Sequence, residues 1–182
     1  MSNTDYAEPD IQRQDGANTA KTPSILIAGV GNIFLGDDAF GVEVVHRLLR
    51  RRLPVEVEVS DFGIRGLDLA YALLDPYDVV ILVDALPRGG RPGTVYVLEP
   101  SPEELAGSPE DSLVEAHALD PVKVLRLVAA LGGQVRRLLV VGCEPQSGTD
   151  RGDMQMGLSD PVRGAVDEAI SVIESLVTRL LA

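Results

Sequence analysis

The stretch AGVGNIFLGDDAFGVEVV, residues 28–45, sets two carboxylates, Asp37 and Asp38, at the end of a glycine-rich turn. A turn of this kind between an apolar run and a helical one ordinarily cradles a phosphate on free backbone amides. Adjacent carboxylates repel a phosphate and attract a cation. The glycines stand at 29, 31 and 36, so the Gly-x-Gly-x-x-Gly fingerprint is not met and dinucleotide binding is disfavoured. No Gly-Lys-Ser/Thr, His-Glu-x-x-His or Gly-x-Ser-x-Gly occurs, which removes the Walker loop and the common zinc-protease and serine-hydrolase signatures. Cation chemistry is what the loop suits.

Further acids must be placed by the elements around them. Apolar runs and alternation predict strands over 24–30, 55–60, 78–85, 93–99 and 136–145. Helical spacing predicts helices from Ala39 to about Leu53, over 67–75 and 119–132, and from Pro161 onward. In the last of these Val162, Val166, Ala169, Ile170, Ile173, Leu176, Val177 and Leu180 share one face. Strands alternating with helices predict a three-layer α/β/α sandwich around a mostly parallel sheet. The gap between Ala85 and the strand at 93 is too short for a helical crossover, so that strand is expected to run antiparallel to its predecessor.

Ligands of such sheets bind outside the carboxyl ends of the strands. Asp38, Asp61 in SDFGIRG and Asp84 in VVILVDA are thereby expected at one rim. Each has a plainer reading. Asp37 or Asp38 could cap the following helix, and Asp61 could form an Asx turn. Asp84 is harder to dismiss, since a carboxylate closing an apolar strand is costly without a partner. Like charges on one rim raise one another's pKa unless a cation neutralises them. His46 lies off the apolar stripe of its helix and reads as a solvated surface residue. His117 in SLVEAHALD is left as the candidate imidazole, giving two oxygens and a nitrogen with open positions. Cys143, ending the last strand, reads as a structural thiol, with a nucleophile paired to His117 as its rival.

With 182 residues and 45% hydrophobic content, one domain over 23–182 is expected, with residues 1–22 a polar, disordered tail lacking a secretory h-region. The net charge of −12 argues against a nucleic-acid partner. No apolar run reaches the ~20 residues of a membrane span. A single cysteine excludes an internal disulfide and suits the cytoplasm.

GVGNIFLGDDAFG, DFGIRG, VDA, a His before a helix, and VGCEPQS together resemble the nickel-iron hydrogenase maturation endopeptidases, from about Ser24 to Leu180. The resemblance implies a phosphorylase/hydrolase-like fold, a five-stranded mixed sheet with one antiparallel strand. It implies an enzyme that removes the C-terminal extension of the hydrogenase large-subunit precursor after nickel insertion. The family's metal-binding residues match Asp38, Asp84 and His117, the two acids being the catalytic candidates, with Gly31, Asn32, Asp37, Asp61 and Gly63 in support. The nickel is expected to arrive on the substrate, and the protein to act as a cytoplasmic monomer. Two other readings stay open: a non-catalytic nickel-binding scaffold for hydrogenase assembly, and another metal-dependent hydrolase on the same fold.

Overall fold

The computed structural model describes residues 22–101, 121–146 and 156–182. The polar tail, up to residue 21, and His117 lie outside the described residues. The chain forms β1 (Ile25–Val30), α1 (Phe40–Leu48), β2 (Val57–Gly63), α2 (Gly66–Ala72), β3 (Val79–Ala85), β4 (Val95–Leu98), α3 (Pro121–Ala130), β5 (Leu138–Cys143) and α4 (Asp160–Leu181). One 3-10 turn, Gly36–Ala39, leads into α1.

The five strands lie in the order β2-β1-β3-β5-β4, all parallel except β4. β1 and β5 are buried along their whole length, which is why they read as continuous apolar runs. Alternation divides their side chains between two cores. Ile25, Ile27, Ile81, Val83, Leu139 and Val141 pack under α1 and α4. Leu26, Ala28, Val80, Leu82, Leu138 and Val140 pack under α2 and α3. The predicted sandwich, with its five-stranded mixed sheet, is the observed architecture. The apolar face predicted for α4 is its buried face, and Val162, Val166, Ile170 and Ile173 are wholly enclosed.

Three local expectations are corrected. β4 is antiparallel, but it hydrogen-bonds to β5 rather than to β3, with Val95 opposite Cys143 and Leu98 opposite Val140. The fully apolar β5 takes the covered position beside β3 and leaves the half-exposed β4 at the edge. β2 begins and ends later than its alternation suggested, because the Pro54 carbonyl first accepts the Val57 amide in a turn. Asp61 therefore lies inside the strand, opposite Gly29, and not in the loop beyond it. α1 stops at Leu48, where the chain tightens into three-residue back-bonds from Arg50 to Arg47 and from Arg51 to Leu48.

The close seating of α1 depends on Gly41. A Cβ there would lie 2.1 Å from the Val83 carbonyl oxygen and 2.4 Å from that of Val30. Gly41→Ala is expected to destabilise the fold by about 1–3 kcal/mol, since backbone at the sheet's centre cannot give way. A denaturant melt that leaves the midpoint unchanged would show that α1 is not held this tightly.

Candidate active site

β1 feeds α1 and then β2 on one side, while β3 lies on the other, so the direction of winding reverses between β1 and β3. The carboxyl ends of two such strands part into a crevice, where ligands of open α/β sheets bind. The loop carrying Asp38 leaves β1, and Asp84 closes β3, so both acids flank this crevice.

The loop is built by backbone constraints. Gly31 has φ of +132°, and a Cβ on it would lie 1.8 Å from the Asp38 carbonyl oxygen. Only glycine lets the turn fold back this closely. The Asn32 amide donates to Asp38 Oδ2 at 2.5 Å, and Asn32 Oδ1 accepts the Phe34 amide at 3.0 Å. The Gly31 amide donates to the Gly63 carbonyl at 3.0 Å, tying this loop to the end of β2.

Neither acid of the pair caps the 3-10 turn or α1 through its side chain. Asp37 is wholly buried and turns inward. Its Oδ1 accepts the Ser159 amide at 2.7 Å, and its Oδ2 accepts the Gln146 amide and the Ser159 hydroxyl, both at 2.9 Å. Ser159 is the N-cap of α4, where the helix dipole favours a negative charge. Asp37 is thus the anchor of the loop, and its neighbour Asp38 is left facing the crevice.

Asp84 Oδ1 accepts the Ala85 amide at 2.8 Å. Its pKa stands well above the ordinary aspartate value, first because its carboxyl is withdrawn from water and second because Asp38's charge is near; the Ala85 amide opposes the shift. The structure thus brings Asp38 and Asp84 together as the sequence predicts. Among the described residues no group of three His, Cys, Asp or Glu side chains assembles to hold a metal.

Asp61 is placed differently. Its Oδ2 lies 2.8 Å from His46 Nε2. Its carbonyl accepts from the Arg65 guanidinium. His46 is therefore not merely solvated: it bridges α1 to β2. No Asx turn is needed to explain Asp61. Gly63, with φ of +52°, makes the turn out of β2.

The sequence alone singles out no role for Glu144 within VGCEPQS. Glu144 is buried and accepts the Arg88 amide at 2.9 Å, the Gly89 amide at 3.0 Å and the Tyr96 hydroxyl at 2.9 Å. Burial pushes its pKa up, but the Arg88 amide, the Tyr96 hydroxyl and the Gly90 and Gly89 amides outweigh that and hold it below the usual glutamate value. It locks the β3–β4 connection beside Asp84. Burial, then the charges of Asp37, Glu144 and Glu168, push the Cys143 thiol up to about 12. A buried neutral thiol is a structural group, not a nucleophile.

The model of the hydrogenase maturation protease family matches residues 42–176. A Methanocaldococcus jannaschii protein assigned to the hydrogenase maturation proteases is 37% identical over 84% of this chain and 96% of its own. The hydrogenase 2 maturation protease of Escherichia coli is 30% identical over 82% of this chain and 87% of its own. The solved structure of the hydrogenase maturating endopeptidase HybD from Escherichia coli superposes with a TM-score of 0.70, at 29% identity, covering 86% of this chain and 93% of that one. Fold and relatives together define a small α/β peptidase. The chain belongs to the hydrogenase maturation protease family, and it is a hydrolase of the endopeptidase type.

Two expected outcomes follow from the two acids. Asp37→Ala leaves three donors unpaired and should cost roughly 3 kcal/mol of stability. Because Asp38 loses its anchor, processing should fall further than the folded fraction does, since about 1 Å of displacement can cost ~10²-fold. An unchanged melting temperature would remove Asp37 from this role. Asp84→Asn should instead raise the melting temperature at neutral pH. The folded pKa of Asp84 is raised, so the native state keeps a proton that the unfolded chain has lost, and wild-type stability falls as pH climbs from about 4 towards the folded pKa. Asparagine escapes that penalty, by about 2–4 °C for each ~1 kcal/mol relieved. Calorimetry at about pH 5 and pH 8 checks it: the advantage must be larger at the higher pH.

Proposed function

We propose that this chain removes the C-terminal extension of the nickel-iron hydrogenase large-subunit precursor after nickel insertion, using Asp38 and Asp84 as the acids that face the substrate's nickel. The observation that carries this reading is Asp84, lifted in pKa by burial and by Asp38 at the crevice where the sheet's winding reverses. Two like charges so placed call for a cation, and hard carboxylate oxygens with one imidazole accept nickel, whose softer thiolate ligands the substrate would supply. His117 is the third ligand in this reading. In sequence it stands four residues before Pro121, where α3 begins, and α3 packs on the face lined by Leu82 and Val80, two and four residues before Asp84.

Chemistry follows from the charge balance. In the absence of a cation, burial and the nearby Asp38 charge favour the protonated form of Asp84. A dication carried in by the precursor would favour the ionised carboxylate. The carboxylate then takes a proton from the attacking water, whose oxygen bonds to the scissile acyl carbon as the C–N bond breaks, and the proton passes to the leaving amine. Nickel loading thereby becomes the condition for cleavage. Family membership favours this endopeptidase over a non-catalytic assembly scaffold or an unrelated metal-dependent hydrolase. The reading takes the enzyme as a monomer in the cytoplasm, where its one cysteine stays reduced.

Asp38→Asn and Asp84→Asn should each lower processing by about 10²–10⁴-fold while the protein stays folded. Nickel-loaded precursor should be cut by the wild type and nickel-free precursor left intact, read as a mobility shift at fixed pH and enzyme concentration. Normal processing by either variant would sink the acid assignment. Equal cleavage of both precursors would sink the nickel-sensing role while leaving the proteolysis standing.

A further inference from the structure

Two neighbouring turns at the rim carry large apolar side chains that their own backbone does not require. In the first, the Leu35 amide donates to the Asn32 carbonyl at 3.0 Å, so Ile33 and Phe34 are the two corner residues of a β-turn. In the second, the Arg65 amide donates to the Phe62 carbonyl at 2.8 Å, and the corners are Gly63 and Ile64. Turn corners favour glycine, proline, asparagine, aspartate and serine, because their task is to reverse the chain in water. Here Ile33 is 46% exposed, Phe34 49% and Ile64 64%, and Leu67 in the first turn of α2 is 56% exposed. None of these four helps to fill either core.

The two turns leave adjacent parallel strands, with Val30 opposite Gly63, and the Gly31–Gly63 hydrogen bond holds them side by side. The first is joined to the acid itself, since the Asn32 amide that precedes Ile33 donates to Asp38 Oδ2. The apolar surface is therefore continuous with the acid rim. A second copy of this chain seated there would cover Asp38 and shut out any substrate. A protein substrate, by contrast, must bring a folded surface against this rim to present one peptide bond. Contiguous exposed apolar side chains mark such contact surfaces, and aromatic and large aliphatic anchors carry most of their energy.

We propose that Ile33, Phe34, Ile64 and Leu67 form the surface on which an apolar segment of the large-subunit precursor docks beside its scissile bond. The proposal rests on the function assigned above, and its test separates the two. The probe is a nickel-loaded large-subunit precursor, cleaved by wild type, by the double variant Phe34→Ser with Ile64→Ser, and by Val55→Ser. Val55 is an exposed apolar residue before β2, away from both turns. The double variant should raise KM roughly tenfold or more while cleavage at saturating precursor stays within about threefold. Val55→Ser should leave both constants unchanged. All three proteins should melt alike, because the altered side chains face solvent.

A folded double variant with wild-type KM overturns the docking surface, and so does an equal rise in KM for Val55→Ser. If sedimentation shows a wild-type dimer that the double variant dissolves without a change in KM, the face is a self-association surface and the proposal falls. Failure of the wild type to cut the loaded precursor at all removes the underlying function instead, an outcome read before any variant is compared.

Discussion

A carboxylate with no exposed surface survives in a protein only if donors replace the water it has lost. Asp37 receives three, from a residue 109 positions later and from one 122 positions later. Those donors sit beyond β5 and at the N-cap of α4, so the loop after β1 is closed by the last third of the chain. Asp38 inherits its position from this clamp, because a residue bonded to an anchored neighbour cannot wander. The geometry of the rim is accordingly made only when the fold is complete, and no local segment could hold it alone.

The sheet converts that anchor into a site. Reversal of winding between β1 and β3 opens the crevice, and Gly31 and Gly41 bring backbone close to it on both sides. Gly31 brings Asp38 back over the turn, and Gly41 lets α1 rest directly on the carbonyls of Val30 and Val83. On the other side Glu144 gathers the amides of Arg88 and Gly89 and the Tyr96 hydroxyl, so the chain leaving Asp84 is fixed as firmly as the loop reaching towards it.

Much of this was legible in the order of residues, and the misses have physical reasons. Buried strands announce themselves by unbroken apolar runs, so β1, β3 and β5 were readable, and with them the sandwich and the rim on which Asp38 and Asp84 meet. The neighbour of β4 was not readable, because connection length decides direction but not which strand takes the covered place. The extension of β2 through Asp61 was hidden by turn-like residues that in fact pair with β1. Helix periodicity placed His46 off the core correctly, yet a 2.8 Å contact with Asp61 across 15 residues leaves no period to detect. The partners of Asp37 and Glu144 lie further still along the chain, and buried carboxylates look like exposed ones until their donors are known. His117 stands outside the described residues, so its place rests on the sequence pattern alone.

The same chain treats its acids in two ways, and the contrast is what separates scaffold from site. Asp37 and Glu144 are buried and each is surrounded by donors, so their charge binds segments together. Asp84, among the described residues, accepts one amide and faces a like charge. A fold able to satisfy two carboxylates fully had no structural need to leave a third in this state. Nor did it need isoleucine and phenylalanine at the corners of the adjoining turn, where they add nothing to either core. Both features lie at one edge, joined through the Asn32–Asp38 hydrogen bond. A cation offsets the repulsion between neighbouring carboxylates, and an apolar partner covers exposed apolar side chains. The substrate proposed above, a metal-loaded protein, would bring both.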